Sequence, residues 1–251
     1  DKNANISYRK NTFYSSIFFN NFSSNWYDLV EDDGLNTVNK FRNNALQIKL
    51  RKEISEKLNI KINARYFAQL IDNIAPNNLT GETFTAEDNI SLIINHNSDK
   101  FKTDFEIYYT SYFGDEFLND DQGNRFSESF YDQILVKPEI KTVYKVDMQK
   151  EFVFGMGYKY ETLNRTFFDS KPKQNSPFIY FQYDFYPTEK INLIFGGRFD
   201  KFEEYKSQFS PKLSCIFEIN NNESIKFSAG YGYKTPDFRQ LYFNFSNSSV
   251  G

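Results

Sequence analysis

The sequence predicts an all-β protein that forms a transmembrane antiparallel β-barrel, and three observations lead to this prediction. Apolar and polar residues alternate with a period of two along many segments, as they do in strands with two different faces. Aromatic residues make up 19% of the 251 residues, yet the mean hydropathy is -0.65, so the chain is polar as well. A sheet with one apolar face and one water-exposed face accommodates both classes of residue. Short turns and long loops alternate between the segments, as in outer-membrane barrels.

In the first half of the chain, the aromatic and polar run 6–22 is the first predicted strand. Strands 41–54 and 58–70 follow on either side of the turn Ser55-Glu56-Lys57, and they alternate Ile and Leu with Lys, Arg, Asn and Gln. Strands 90–94 and 101–113 lie on either side of the turn at 98–100. Apart from 6–22, whose phase is blurred near Phe18 and Phe19, these runs put apolar residues in one phase and polar residues in the other, as expected of strands between two media.

In the second half, strands 134–141 and 152–160 are joined at 147–150, and strand 179–185 turns at 187–190. The stretch Ile191 to Tyr242 then contains three clear runs, at 191–195, 209–219 and 225–233. In total we expect about eleven antiparallel strands. Because bacterial barrels have even strand numbers, we expect residues 1–251 to be part of a larger barrel, with further strands on both sides.

The connections SEK, SDK, DMQK, PTEK and NNNE are short, whereas 72–85, 114–129 and 162–176 are predicted to be long loops. This asymmetry predicts that the short turns face the periplasm and the long loops the exterior. A soluble β-sandwich or propeller has no reason to place its short turns at one end. No run of 18 apolar residues occurs, which argues against a transmembrane helix.

Charge and cysteine content narrow the function classes. The net charge is -3 and no long basic run is present, so we expect no nucleic-acid partner. The single cysteine, Cys215, cannot form an internal disulfide, and its phase places it on the apolar face. The chain begins at Asp1 without Met or a visible signal peptide, and we therefore expect it to be processed or cut from a longer protein.

Two motifs resemble a known family. The run GGRFDKFEEYKSQFSPKLS resembles the G-x-R-x-D and F-S-P-K elements of TonB-dependent outer-membrane receptors, and SAGYGYKTPDFRQLYFNF resembles their G-[FY]-[KR]-[AT]-P-x-[FL] element. Together the motifs cover roughly a fifth of the chain. The abundance of Phe, Asn, Lys and Ile is similar to that of proteins from AT-rich Bacteroidetes.

The resemblance implies a barrel of about 22 strands in the bacterial outer membrane, closed by an N-terminal plug domain. Such a receptor imports a ferric siderophore or another small nutrient with energy from an inner-membrane complex, passed through TonB. On this view residues 1–251 are a partial barrel domain, while the plug, the TonB-binding region and the remaining strands lie outside it. The expected partners are membrane lipid, the plug, TonB, the substrate and other outer-membrane proteins or lipoproteins. We expect neither enzymatic activity nor a cofactor.

Candidate ligand contacts come from the polar face, where basic residues outnumber acidic ones. Arg65 and Arg198 represent this basic wall, which would attract an anionic ligand such as a ferric siderophore. The alternative is that these groups contact a plug or keep the lumen wet.

Exposed aromatic residues form a second set of candidates. Trp26 and Tyr27 could stack on a ligand from a predicted extracellular loop, or form part of an interfacial aromatic belt. Near the end of the sequence, Arg239, Tyr242 and Phe243 are predicted to contact ligand at the start of a long loop.

No catalytic or metal site is predicted. The only histidine, His96, lies at a predicted periplasmic turn, and no Ser-His-Asp arrangement can be built without it. The acidic segment 114–129 contains oxygen ligands that calcium could use, but its spacing does not match an EF-hand. We expect it to be a solvated loop.

Two other functions remain open on sequence grounds. A non-transporting barrel, acting as an adhesin or as a structural subunit of an outer-membrane assembly, would have the same strand pattern. A soluble carbohydrate-binding module would explain the aromatic residues but not the asymmetry of the turns.

Overall fold

The computed structural model describes residues 1–29, 38–75, 79–166, 168–220, 222–236 and 238–242, except for the side chains of Ile74, Ala75, Phe126 and Arg239. Its elements, in chain order, are β1 (Lys2–Lys10), β2 (Phe13–Ser24), β3 (Phe41–Ser55), β4 (Leu58–Ala75), β5 (Leu79–Asn97), β6 (Phe101–Asn119), β7 (Arg125–Asp147), β8 (Lys150–Arg165), β9 (Lys173–Thr188), β10 (Ile191–Asp200), β11 (Gln208–Asn220), β12 (Glu223–Gly230) and α1 (Phe238–Tyr242).

The twelve strands form one sheet in which every strand pairs antiparallel with its neighbour in sequence. Among the described residues β1 and β12 have one partner each, so the sheet is a section of a barrel wall with two free edges. This confirms the prediction of a partial antiparallel barrel. Within the described ranges, no helix has the length and hydropathy needed to cross a bilayer.

The connections differ at the two ends of the sheet. At one end, here called the short-turn end, neighbouring strands are separated by a few residues, as at Asn11–Thr12, Glu56–Lys57 and Glu189–Lys190. The other end, the long-loop end, carries the described residues 25–29, 38–40, 168–172 and 201–207 and the residues 231–236 that follow β12. All five predicted short turns lie at the same end, as predicted. The asymmetry is otherwise confirmed only in part, because the connections 76–78 and 120–124 at the other end are short as well.

The sheet has two chemically different faces. Residues that pair across strands point to the same side, and one such row crosses six strands through Phe105, Ile140, Met156, Ile179, Phe199 and Phe209. We call the side that carries this row the outer face. Its side chains are open to the surroundings; Ile179, for example, is 53% exposed and Phe227 63%.

The opposite side, the inner face, is polar and contains most of the ordered side-chain contacts. Fully buried hydrophobic side chains are few among the described residues, and only Leu163, at 1% exposure, is nearly inaccessible. An apolar outer face with so small a core is suited to contact with hydrocarbon. Cys215 pairs with Leu193 and Phe227 and lies on the outer face, as its phase predicts.

The prediction of a single strand at 6–22 is wrong. The chain reverses at Asn11 and Thr12, so β1 and β2 form a hairpin in which Lys10 pairs with Phe13. Asn11 has a φ of 50°, a left-handed conformation that asparagine tolerates better than most residues. The structure therefore has one strand more than predicted.

The predicted long loops 72–85 and 114–129 are also wrong in length. β4 and β5 stay paired from the Asp72–Glu82 pair to the Ala75–Leu79 pair. The predicted loop residues Pro76, Asn77 and Asn78 lie outside the described residues. Glycines that favour turns are instead part of the strands. At Gly81 a Cβ would lie 1.9 Å from the carbonyl oxygen of Phe117, so glycine allows two backbones to approach closely inside the sheet.

Candidate functional site

Two inner-face rows build a candidate site on β6 to β11. The first row contains Asp104, Lys141, Gly155, Tyr180, Arg198 and Ser210, and the second contains Glu106, Glu139, Gly157, Phe178, Asp200 and Gln208. Because side chains alternate between the two faces of a strand, both rows lie on the inner face with the other residues of the polar phase. Charged, aromatic and glycine positions therefore meet in one patch.

A cavity of about 810 Å³ lies over this patch and is lined by residues from β7 to β12 and the segment after it. Its polar lining includes Glu139, Lys141, Gln182, Arg198 and Lys212. The volume is within the range of roughly 300 to 1,000 Å³ that small-molecule sites occupy. The cavity therefore has the size and the polar groups expected of a ligand site.

Arg198 is held from two sides. Its guanidinium donates to the Asp200 carboxylate through Nε at 2.8 and 3.1 Å and through Nη2 at 2.8 Å. Its charged end also lies 4.0 Å from the centroid of the Phe178 ring, a cation–π distance. Positions 198 and 200 are two apart on one strand and share a face, which brings the guanidinium and the carboxylate together.

The glycines form the floor on which two aromatic rings lie. A Cβ at Gly155 would lie 2.1 Å from Cζ of Tyr180, and one at Gly157 would lie 2.4 Å from Cζ of Phe178. The absence of side chains at these positions lets both rings lie flat on β8. In this position the Tyr180 hydroxyl donates to Oε1 of Glu139 at 2.7 Å.

A second cavity, of about 460 Å³, adjoins Arg198 and Asp200 at the long-loop end. Three lysines, Lys137, Lys159 and Lys234, line it together with Tyr233. Lys137 pairs with Glu139 at 3.0 Å and Lys159 with Glu161 at 2.5 Å. Neighbouring carboxylates thus hold two of the three lysines, Lys137 and Lys159, at fixed positions in the wall.

Tyrosines beyond the strands surround this opening. Burial raises the pKa of Tyr233 above its ordinary value, and a hydrogen bond with Asp200 raises it further. Burial likewise raises the pKa of Tyr242, with an added contribution from the Glu204 carboxylate. Both hydroxyls therefore stay protonated at neutral pH and can donate hydrogen bonds.

The predicted ligand residue Arg65 lies elsewhere on the inner face. It belongs to β4, where it pairs with Gln47 and Asn89 across the sheet. Its side chain is exposed and has no ion pair with any described residue. β4 and β10 are six strands apart, or about 30 Å along the sheet, so the structure does not bring Arg65 and Arg198 together.

The aromatic candidates also fall into separate groups. Trp26 and Tyr27 follow β2, with exposures of 57% and 44%, and Tyr27 forms an isolated bridge with Val38. Tyr242 lies in α1, and the centroid of its ring is 6.1 Å from the ring centroid of Phe168 and 6.1 Å from that of Phe238. Phe243 lies outside the described residues.

Arg239 is part of α1, and its side chain is among those not described. Tyr242 is therefore the one residue of the predicted C-terminal group whose side chain the structure describes.

The acidic segment 114–129 is mostly strand. Asp115 and Glu116 belong to β6, and only the residues 120–124 form a turn. Asp120 accepts hydrogen bonds from the backbone N–H groups of Asn124 at 2.7 Å and Gln122 at 3.0 Å. These bonds, that of Asn124 above all, lower the pKa of Asp120 below its usual value. In the described part of the chain no cluster of His, Cys, Asp or Glu is arranged to hold a metal ion.

Sequence reasoning missed the partners of the predicted residues. Asp200, Glu139 and Tyr180 lie in the polar phase of their strands, but alternation alone assigns them no role. A carboxylate two positions after a cation on one strand is a sequence signal for such an ion pair. Lys137, Lys159 and Arg198 are each followed by a carboxylate at this spacing and pair with it.

Comparison with known families gives one match over the whole chain. Residues 1–251 match the family described as TonB dependent receptor-like, beta-barrel. No curated protein sequence matches the chain significantly.

Solved structures share the fold. The FrpB iron transporter from Neisseria meningitidis superposes with a TM-score of 0.76 and 13% identity, over 93% of this chain and 44% of that one. The siderophore receptor PirA from Pseudomonas aeruginosa gives a TM-score of 0.68 and 18% identity, over 94% of this chain and 40% of that one. The copper transporter OprC gives a TM-score of 0.65 and 12% identity, over 90% of this chain and 42% of that one. The chain thus spans less than half the length of the proteins it matches.

Proposed function

The chain belongs to the TonB-dependent receptor β-barrel family, and we propose that it is part of a receptor that imports a ferric siderophore or another small anionic nutrient. Barrels of this family lie in the bacterial outer membrane, and this one does as well. The family consists of transport receptors and not of enzymes, which supports a transport function.

The observation that carries the proposal is the cation-lined cavity at the long-loop end. Lys137, Lys159 and Lys234 converge there with Arg198 and Tyr233. Ferric complexes of carboxylate and catecholate ligands carry negative charge, and a cationic wall raises the local concentration of such ligands. Phe202 and Tyr233, whose rings meet edge to face at 5.8 Å, add apolar contact area beside the cations.

The difference between the two ends of the sheet supports a direction of transport. If the long loops face the exterior, as in other barrels of this kind, the cavity is at the side from which nutrient arrives. We propose that the remaining strands, an N-terminal plug and the segment that binds TonB belong to the rest of the protein. The apolar outer face would contact membrane lipid. Other outer-membrane proteins or lipoproteins would bind at the loops of the barrel.

The predicted residues have different parts in this proposal. Arg198 is proposed to shape the cavity wall, because three hydrogen bonds to Asp200 and the Phe178 ring hold its guanidinium in place. Arg65 is proposed to act on the ligand further along the inner face, where its guanidinium is free of ion pairs with described residues. Tyr242 is proposed as an aromatic contact at the opening, with Arg239 and Phe243 next to it in sequence, and Trp26 and Tyr27 as contacts on the far side.

The test is uptake by a strain lacking the gene. Radioactive iron would be supplied as ferric complexes of the catecholate, hydroxamate and citrate classes under iron limitation. Loss of uptake of one class, restored by the intact gene, is expected. Uptake of every class at the parental rate would contradict the proposal for iron and favour a non-transporting adhesin or structural subunit.

The same assay tests the cavity. The double variant Lys137→Glu/Lys159→Glu should raise KM by about tenfold, because two attractive charges become repulsive. Arg65→Glu should act in the same direction with a smaller effect. Lys190→Glu, a charge reversal in a short turn at the opposite end, is the matched control and should leave KM unchanged. Equal effects of all three variants would show that the cavity has no special part.

A further inference from the structure

The outer face carries a groove that lies away from both free edges of the sheet. This outer groove has a volume of about 560 Å³ and crosses β6 to β10. Each of these strands has both of its neighbours within the described sheet. The lumen lies on the other side of the wall, so neither a plug nor further strands of the barrel would fill the outer groove.

The lining of the outer groove is mainly apolar. Its walls come from one outer-face row, formed by Phe105, Ile140, Met156, Ile179 and Phe199. In the next row, Pro138 pairs with Ile107, and Pro177 pairs with Tyr158. Prolines are unusual inside a sheet, and their short rings leave a depression beside the larger side chains of the first row.

One cation stands at the long-loop end of the outer groove. Lys201 lines the groove and is exposed. Its backbone N–H donates to the carbonyl oxygen of Pro177 at 3.0 Å, so the pairing of β9 and β10 continues to this residue. Alternation then places the Lys201 side chain on the outer face, in the same phase as Phe199.

The charge of Lys201 has no partner among the described residues. None of the ion pairs in the described ranges includes it. Glu203, two positions further along the chain, accepts a hydrogen bond from Nδ2 of Asn175 at 2.7 Å. Lys201 is therefore available to an anion from outside the protein.

The length of β10 places Lys201 near a membrane surface. The strand has ten residues, from Ile191 to Asp200, and about 9 to 11 residues cross a bilayer in a tilted strand. Lys201 follows directly and thus lies at the level of the lipid headgroups on the long-loop side. Phe105, at the other end of the groove, lies four residues after the start of β6 at Phe101. The outer groove therefore descends from the headgroups into the hydrocarbon.

We propose that the outer groove binds one phosphate-bearing membrane lipid from the leaflet at the long-loop end. An acyl chain lies along Met156 and Ile179, and the headgroup phosphate accepts a hydrogen bond from Nζ of Lys201. Such a charge-assisted bond is of the stronger kind. Apolar surface gains little by moving from lipid to protein inside a bilayer, so the lysine selects by charge and the groove by shape.

Lipid binding at the outer groove goes beyond the proposed import function and does not depend on it. It requires that the barrel lie in a membrane, which follows from the family to which the chain belongs. A receptor that imports no iron complex would leave the lipid site standing, and a receptor without the lipid site could still import its cargo.

Native mass spectrometry of the intact receptor in a neutral detergent tests the site with two added lipids, dimyristoyl phosphatidylglycerol and dimyristoyl phosphatidylcholine. The first has a net negative charge and the second has none. The wild type should bind its first phosphatidylglycerol about fivefold more tightly than its first phosphatidylcholine, or better. Lys201→Gln should weaken phosphatidylglycerol binding by about tenfold, because a hydrogen bond to a charged group is lost. Lys201→Arg should retain it.

A second variant tests the apolar part of the site. Met156→Trp places a large ring in the outer groove and should weaken phosphatidylglycerol binding by about fivefold, since the acyl chain loses contacts there. The ring faces lipid, so it does not disturb a packed core. Heat-dependent mobility on gels shows for each variant that the barrel is folded.

The matched controls lie on the outer face of β3, away from the groove. Arg42→Gln removes an exposed cation at the long-loop end of that strand, and Leu46→Trp adds a ring on the same face. Each should change the affinity for phosphatidylglycerol by less than about twofold.

The lipid site is wrong if the wild type binds both lipids equally tightly, or if Lys201→Gln binds phosphatidylglycerol as the wild type does. It is also wrong if Arg42→Gln weakens binding as much as Lys201→Gln. Loss of affinity in Lys201→Gln but not in Met156→Trp would mean that the acyl chain does not occupy the groove, and this result likewise overturns the inference.

Discussion

Arg198 and Asp200 form a forked ion pair within a single strand, with the guanidinium of Arg198 donating three hydrogen bonds of 2.8 to 3.1 Å to the carboxylate of Asp200. The Asp200 side chain is 8% exposed, and that of Arg198 is 43% exposed. The pair joins the wall of the large cavity to the lysine-lined opening. Its main effect is therefore to fix the geometry between the two cavities.

We predict that Asp200→Ala destabilises the barrel by about 1–3 kcal/mol, because the guanidinium of Arg198 loses its partner in a half-buried position. Urea unfolding of the intact receptor in lipid vesicles measures this change. The double variant Arg198→Ala/Asp200→Ala should cost less than the sum of the two single variants, since they share one interaction.

The matched control is the pair Arg51 and Glu53, which has the same spacing on one strand but side chains that are 50% and 48% exposed. Glu53→Ala should cost no more than about 1 kcal/mol, as is usual for exposed ion pairs. A cost as large as that of Asp200→Ala would mean that burial does not set the strength of these pairs.

Strand alternation allowed most of the fold to be predicted. The run 58–70 became β4 and the three runs after Ile191 became β10, β11 and β12, because one face of each strand is apolar along its whole length. The hairpin at Asn11 was missed, since both of its strands carry aromatic and polar residues without a clear phase. Loop lengths were overestimated because Gly81 and Gly114 lie inside strands and not in turns, and at Gly81 the glycine allows a close approach of two backbones.

Less of the candidate site could be predicted. Period two places Arg65 and Arg198 on the inner face, as observed, but it cannot say which strands lie close together around the sheet. The distance between these two residues depends on the six strand pairings from β4–β5 to β9–β10. The contact between Tyr180 and Glu139 depends on Gly155, a residue that looks neutral in the sequence.

We predict that Gly155→Ala destabilises the barrel by about 1–3 kcal/mol, the usual cost of overpacking. The added Cβ would lie 2.1 Å from Cζ of Tyr180, so the ring must leave the strand and lose its 2.7 Å bond to Glu139. The same urea unfolding experiment measures the effect. In a Tyr180→Leu background the substitution should cost less, because the smaller side chain can move aside.

Gly232→Ala is the control for this prediction, since no heavy atom lies within 4 Å of the Cβ it would add. Its effect should stay within about 0.5 kcal/mol. If Gly155→Ala were equally mild, the flat position of Tyr180 would not depend on the glycine.

We predict that the turn 120–124 opens in acid. Hydrogen bonds from Asn124 and Gln122 lower the pKa of Asp120 below 3.8, so the folded turn favours the charged carboxylate. Its stabilisation is complete above the unfolded pKa and is lost as the pH falls through the lowered folded pKa. Hydrogen exchange of this turn, corrected for the intrinsic effect of pH, should accelerate below about pH 4. In Asp120→Asn the amide does not titrate, and the acceleration should disappear.

The last prediction uses Cys215, the only cysteine in the sequence, to test which face of the sheet meets lipid. Cys215 lies on the outer face between Leu193 and Phe227, so a charged thiol reagent should not label it in the folded, membrane-inserted receptor. The same reagent should label it after unfolding in urea. Lys212→Cys in a Cys215→Ser background places the thiol on the inner face beside the large cavity and should be labelled without unfolding. Labelling of Cys215 in the intact barrel at the rate of this variant would contradict the assignment, because hydrocarbon excludes a charged reagent from the outer face.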